Sequence, residues 1–337
     1  MLDSLERPLR DLRISVTDRC NLRCRYCMPR EVFGADFVFL PRAQLLSFEE
    51  ITRVVRVAAE HGVSKVRLTG GEPLLRRDLA RLVEMLAAIP GVHDLALTTN
   101  GLLLGRHAAR LREAGLRRVT VSLDALDPAA LRAISDAPIS AGPILAGIAA
   151  AEAVGLDPVK VNMVVRRGYN EHCVQAMAER FRNTRQILRF IEYMDVGASN
   201  GWHAADVVTA SEILAAIEAR WPLEPLPPSY PGEVASRYRY RDGAGEIGVV
   251  HSVSKPFCGG CTRARLSADG KLYTCLFASR GHDLRRVLRD RAAGEEALGW
   301  NLRRIWRARA DRYSAERAHA PPADPSEPRV EMSYIGG

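Results

Sequence analysis

The 337-residue sequence predicts an α/β fold in which a parallel, curved sheet is wrapped by helices and stops short of a closed barrel. Three observations predict it. Across the first two-thirds, short β-branched or apolar runs alternate with amphipathic helical patterns, which is the signature of repeated βα units. Six such units can be counted, where a closed β/α barrel has eight. The residues with chemical potential lie on these strands or just after them, where β/α barrels build their sites.

The strands are read at residues 12–16, 65–69, 94–99, 119–123, 159–165 and 187–193. After the first of them, Ser47 and Glu50 form a capping-box pattern, and Ile51, Val54, Val55 and Ala58 follow the spacing of a buried helix face until Gly62 stops it. Leu79, Leu82, Val83 and Leu86 repeat the pattern before Pro90-Gly91. Ser122 and Asp124 end the fourth strand, Lys160 and Asn162 lie on the fifth, and Arg189, Glu192 and Met194 belong to the sixth. The pattern changes after Asp195. Residues 197–201 and the Pro-rich 221–231 read as loops, with a capped helix opening at Thr209 and Glu212 between them. Alternation over 234–240 and 246–253, split by Asp242-Gly243, predicts an antiparallel hairpin. A second hairpin turning at Asp269-Gly270 brings Arg263 and Arg265 close to Cys275; helical segments then run to about Ala310, and 321–328 reads as poorly structured. The expected division is a barrel over 1–205 and an α+β domain over 206–337.

Six of the seven cysteines form two triads. Cys20, Cys24 and Cys27 make a C-x3-C-x2-C run, and Cys258, Cys261 and Cys275 follow C-x2-C-x13-C. A closed structural zinc or ordinary iron-sulfur site takes four protein ligands, so three thiolates leave a position open to an exogenous molecule. The seventh, Cys173, reads as a small buried apolar residue, and the odd count argues against a secreted disulfide framework. The N-terminal stretch carries Asp3, Glu6, Arg7, Arg10 and Asp11 with no apolar core to a leader, and no later run approaches the ~18 apolar residues of a membrane span. A cytoplasmic protein without a membrane partner is expected. Net charge is +8, yet there is no uninterrupted basic tract and no interleaving of aromatic with basic residues, which favours a small polyanion over nucleic acid. Arg13, Arg67 and Lys160 stand out because they occupy strands of a parallel sheet, where an unpaired charge is costly to bury.

Cys20-Asn21-Leu22-Arg23-Cys24-Arg25-Tyr26-Cys27 resembles the signature of the radical S-adenosylmethionine (SAM) superfamily. Together with Thr69-Gly70-Gly71-Glu72-Pro73, the second triad followed by Thr262-Arg263-Ala264-Arg265, and the terminal Gly336-Gly337, it resembles the GTP 3′,8-cyclase (MoaA) family of molybdenum cofactor biosynthesis, from about Arg10 to the last residue. The resemblance implies a partial (β/α)6 radical SAM barrel and a C-terminal α+β domain carrying a second iron-sulfur cluster. It implies two 4Fe-4S clusters, one on each triad, with SAM on the open iron of the first and contacted by Tyr26, Gly71, Ser122 and Met194. It implies a GTP site of Arg13, Arg67, Thr98, Lys160, Arg263, Ala264 and Arg265, with Arg263 and Arg265 catalytic, and a diglycine tail entering the site. The implied reaction is abstraction of hydrogen from the ribose 3′ carbon by a 5′-deoxyadenosyl radical and closure onto carbon 8 of guanine. Implied partners are an electron donor such as flavodoxin or ferredoxin and the next pathway enzyme, cyclic pyranopterin monophosphate synthase, for a monomer or homodimer.

Taken residue by residue, Met194 also reads as a core gap-filler, Ser122 as a satisfied strand-end hydroxyl and Gly70-Gly71 as a turn. Three other functions remain open from sequence: a peptide-modifying radical SAM enzyme, a zinc protein whose second triad is closed by His251 or His282, and a basic nucleic-acid binder.

Overall fold

In chain order, β1 (Asp11–Ser15) leads through the cysteine loop to α1 (Phe48–Glu60), followed by β2 (Lys65–Thr69), α2 (Leu79–Ala87), β3 (Asp94–Thr99), α3 (Leu104–Glu113), β4 (Arg118–Ser122), α4 (Pro128–Ser135), α5 (Ala141–Ala153), β5 (Lys160–Val165), α6 (Val174–Phe181) and β6 (Ile187–Glu192). Then come α7 (Ala210–Glu218), β7 (Leu223–Leu226), β8 (Ser236–Tyr240), β9 (Glu246–Val250), β10 (Arg263–Leu266), β11 (Lys271–Tyr273), β12 (His282–Asp283), α8 (Arg285–Arg289), α9 (Glu295–Arg307), α10 (Tyr313–Glu316) and α11 (Met332–Ile335). This computed structural model describes residues 1–290, 292–317 and 328–337. The stretch read as poorly structured lies, apart from Pro328, outside the described residues.

The six expected βα units are present, with β1 to β6 parallel and in sequential order. The C-terminal strands do not form a separate layer. They extend the same sheet at both edges, giving the order β12-β11-β10-β1-β2-β3-β4-β5-β6-β9-β8-β7 among the described residues. β10 runs parallel to β1 and β9 parallel to β6, and the outer strands are antiparallel.

Both predicted capping boxes form: the Ser47 and Thr209 hydroxyls accept from Glu50 N and Glu212 N, and each glutamate accepts from its cap's N–H. Ile51, Val54, Val55 and Ala58 of α1 and Leu79, Leu82, Val83 and Leu86 of α2 are buried in one apolar core with the outward residues of the sheet, among them Leu12, Ile14, Val66, Leu68, Leu97, Val121, Val161 and Phe190. Each large side chain so buried contributes about 1.5–3 kcal/mol. Cys173 belongs to this core, as read from the sequence.

Two readings are corrected. The Pro-rich 221–231 is not all loop, because Leu223–Leu226 forms β7. It is an outermost strand, the place where the missing N–H of Pro225 can be tolerated. The strand read as 246–253 ends at Val250, since Val253 N and Ser254 N donate to Glu192 Oε2 at 2.7 and 2.8 Å rather than to a neighbouring strand. No helix among the described residues is long and apolar enough to cross a membrane.

Candidate active site

Alternation along each strand sends apolar residues outward to the helices and the intervening residues inward. The inner face borders a cavity of about 320 Å3 whose lining includes all six cysteines of the two triads. It also includes Tyr26, Gly71, Ser122, Met194, Arg13, Arg67, Thr98, Lys160, Arg263 and Arg265. Of the residues expected at the site, Ala264 is the exception. It is opposite Leu12 on β10 and packs into the outer apolar core, because its neighbours Arg263 and Arg265 take the inward positions. His251 and His282, weighed as fourth zinc ligands, are not part of the lining. No three His, Cys, Asp or Glu side chains among the described residues are gathered to hold a single ion.

Strand register builds the cationic wall. Arg13 stands directly opposite Arg265 on one side and Arg67 on the other, so three guanidinium stems lie abreast on β10, β1 and β2. Like charges placed this way repel. Burial, reinforced by neighbouring arginines, holds Arg13, Arg67 and Arg265 below their ordinary pKa values. Arg67 Nη1 donates to Thr98 Oγ1 at 2.9 Å and Thr120 Oγ1 at 3.0 Å. Arg13 Nε, Arg67 Nε and Arg265 Nη1 are buried with no hydrogen-bond partner among the described residues. Burial and the charges of Arg189, Arg118 and Arg67 bring Lys160 down to about 7. Leaving buried donors unmatched costs about 1–3 kcal/mol each, which suits the wall to an anionic ligand.

The first triad lies on the loop after β1. Cys27 N and Met28 N both turn back to Cys24 O at 2.9 and 2.8 Å, which curls the loop so that all three cysteines border the cavity. Gly70 and Gly71 press the next loop against this one. A Cβ on Gly70 would meet Thr17 O at 2.4 Å, and one on Gly71 would meet Arg19 O at 2.3 Å. The glycines are therefore demanded by protein backbone, whatever ligand also approaches. Glu72, 1% exposed, anchors the junction by accepting from Leu74 N, Thr99 Oγ1 and Asn100 N. Burial pushes Cys24 and Cys27 well above the usual thiol range and Cys20 up to about 11. Thiols in such surroundings ionise when a metal takes the place of the proton, which suits them to an iron-sulfur cluster. Tyr26 donates its hydroxyl to Asp124 Oδ2 at 2.9 Å, and burial raises Asp124 to about 6 despite that bond.

The second triad is electrostatically different. Burial would raise Cys261, but Arg263 and Arg309 outweigh it and bring the thiol down to about 6; Arg263 Nη2 lies 3.2 Å from its Sγ. Burial pushes Cys275 up to about 11. The tail also reaches the site. Glu331 Oε1 accepts from Ala198 N and Ser199 N at 3.0 Å, and Gly337 joins the cavity lining. Gly336 has φ 78°, and a Cβ there would meet Thr69 Cγ2 at 2.1 Å.

The sequence matches known families and proteins. The family model "Radical SAM superfamily" matches residues 14–181, and "Molybdenum Cofactor Synthesis C" matches 186–315. The GTP 3′,8-cyclase of Acidothermus cellulolyticus is 59% identical over 356 residues, covering 99% of this chain and 98% of that protein. Those of Xanthomonas axonopodis pv. citri and Staphylococcus aureus are 55% and 49% identical, covering 100% and 99% of this chain and 99% and 98% of theirs. The chain belongs to the GTP 3′,8-cyclase family. Within that family's radical SAM superfamily a 4Fe-4S cluster and SAM are implied, and the half-buried three-thiol rim fits them. Streptococcus suis SuiB bound to S-adenosylmethionine superposes with a TM-score of 0.59 at 15% identity over 85% of this chain and 67% of that one, a likeness of fold.

Membership in the GTP 3′,8-cyclase family directs attention to lining residues that sequence reasoning left without a role. Arg118, Asn162, Arg189 and Asp124 face the cavity, with Arg189 Nε donating to Asn162 Oδ1 at 3.0 Å. The available signal was the period of two in Lys-Val-Asn-Met-Val-Val and Ile-Leu-Arg-Phe-Ile-Glu, which already separates the inward positions.

Proposed function

We propose that this protein cyclises GTP to (8S)-3′,8-cyclo-7,8-dihydroguanosine 5′-triphosphate, the first step of molybdenum cofactor biosynthesis. The observation that carries the reading is a single cavity rimmed by two open cysteine triads and walled by buried, partly unmatched arginines. When bound, the first cluster and SAM supply a 5′-deoxyadenosyl radical that takes hydrogen from the ribose 3′ carbon.

The chain's own residues do the rest. Cys20, Cys24 and Cys27 hold the SAM cluster, and Tyr26, Gly71, Ser122 and Met194 border SAM. Cys258, Cys261 and Cys275 would hold a second 4Fe-4S cluster, which would supply an open iron position to the guanine. Arg13, Arg67, Thr98 and Lys160, with Arg189 added from the geometry, receive the triphosphate. Arg263 and Arg265 reach the nucleotide from β10. Gripping both ends of GTP turns the ribose toward the radical source, and enclosure keeps a reactive primary radical from other C–H bonds. The SAM half of this work falls to residues 1–205 and the guanine half to 206–337. An external one-electron donor such as flavodoxin or ferredoxin, and transfer of product to cyclic pyranopterin monophosphate synthase, complete the reading.

The test is anaerobic reconstitution, iron and sulfide analysis, and incubation with SAM, reductant and nucleotide. Cyclised product with GTP and none with ATP is expected. 5′-Deoxyadenosine formed equally with either nucleotide, and no cyclised product, would refute it.

A further inference from the structure

The N-terminal residues pass beneath the second cysteine triad and hold it by charge. The Asp3 side chain has 0% exposure and lies between two arginine side chains that are each 2% exposed. Arg7 Nε is 2.7 Å and Arg309 Nη1 3.1 Å from Asp3 Oδ2, while Leu5 N and Arg7 N donate to Oδ1 at 2.9 and 2.8 Å. Each arginine then reaches a peptide carbonyl of the triad itself. Arg7 Nη1 donates to Cys258 O at 2.9 Å, and Arg309 Nη1 to Cys261 O at 2.8 Å. Arg7 Nη1 also bonds Asp311 O at 2.8 Å, and Trp306 Nε1 fixes Arg7 O at 3.1 Å.

Between the two cysteines lie Gly259 and Gly260. A Cβ on Gly259 would meet nothing within 4 Å, and one on Gly260 would make only ordinary contact at 3.6 Å. The segment is a single 3-10 turn closed by Cys261 N donating to Cys258 O at 3.2 Å, and its two cysteine carbonyls are further held from outside by Arg7 and Arg309. A buried ion group is seldom retained for stability, since an apolar replacement of the same volume does about as well. Here Arg7 and Arg309, with the Asp3 carboxylate between them and the half-buried Asp311 carboxylate 3.4 Å from Arg309 Nε, sit behind two thiolate ligands. Net charge and hydrogen bonding around a cluster set its potential, and the groups behind the ligands set their orientation.

We propose that Asp3, Arg7 and Arg309 form a positioning unit that fixes the Cys258–Cys261 segment and tunes the reduction potential of the cluster it holds. The proposal rests on the second-cluster reading above. Asp3 moderates the two positive charges, and its neutralisation favours the more negative, reduced state of the cluster.

The experiment uses Cys24→Ala full-length protein, reconstituted anaerobically so that only the second cluster remains. Asp3→Asn is introduced into it, and iron and sulfide content, the midpoint potential from a redox titration, and the electron paramagnetic resonance line shape are recorded. Asp3→Asn is expected to keep the iron and raise the midpoint. Arg309→Lys, which retains charge but loses the forked geometry, is expected to broaden the line shape, and it carries the test if Asp3→Asn does not fold. Unchanged midpoint and line shape in the folded variants, even with a lowered melting temperature, would reduce the unit to scaffolding and overturn the proposal. A Cys24→Ala parent without iron would instead overturn the second-cluster reading, and this proposal with it.

Discussion

Binding of GTP should draw a proton onto Lys160. In the free protein burial and the neighbouring Arg189, Arg118 and Arg67 bring this amine from 10.5 down to about 7. At pH 8 only about a tenth of the molecules carry the charge, and at pH 6 about nine-tenths do. A triphosphate against the amine offsets the repulsion and returns its proton affinity toward the ordinary value. Binding at pH 8 should therefore take up about 0.9 proton at this site, against about 0.1 at pH 6, and the protonation should cost about 1.4 kcal/mol at pH 8, roughly tenfold in affinity. The sign for folding follows from the same shift. Between pH 7 and 10.5 the unfolded chain holds a proton that the ligand-free folded chain lacks, so stability of the free protein rises with pH across that window and gains nothing below it. The assay is calorimetry of GTP binding to the reconstituted protein at pH 8, in buffers of different ionisation enthalpy, for wild type and Lys160→Met. Proton uptake that is the same in both proteins would refute the reasoning.

Cys24→Ala should abolish reductive SAM cleavage while keeping about half the iron, read by metal analysis beside 5′-deoxyadenosine formation. Arg265→Ala should weaken GTP binding at least tenfold, since it removes a buried charged donor, with substrate-free SAM cleavage intact; unchanged affinity in equilibrium binding would return Arg265 to a structural role. Gly336→Ala should suppress cyclisation without loss of either cluster, because the added Cβ collides with Thr69 at a positive φ. Glu72→Gln should lower stability by about 1–3 kcal/mol in thermal unfolding of the reconstituted protein, as three donors lose a shared carboxylate.

Much of the site was legible because its chemistry sits on period-two strands and in close cysteine spacings. Both triads, and Arg13, Arg67 and Lys160 as strand-borne charges, needed only local pattern. Arg118 escaped because the fourth strand reads from residue 119; the structure begins β4 at Arg118 and turns it inward. The row of Arg265, Arg13 and Arg67 was not legible, since it depends on parallel pairing of β10 with β1 across some 250 residues of chain. No local periodicity encodes that register. The same pairing decides that Ala264, between two cavity arginines, faces the apolar core instead. The role of Asp3 was hidden too, because a carboxylate near an end is ordinarily solvated and only the tertiary fold brings Arg309 to it.

The strands that flank β1 and β6 on their outer sides come from residues 246–250 and 263–266. During synthesis at about 5–20 residues per second, the inner six strands can pair as they emerge, yet the free side of β1 waits roughly ten to fifty seconds for its partner. Through that interval the nascent chain offers open, apolar strand borders of the kind that template wrong pairings. Production of this protein should therefore be limited by how quickly translation passes residue 266 relative to self-association. Slowing the ribosome with rare codons between β6 and β10 should lower soluble yield, and the same codons placed after residue 266 should not.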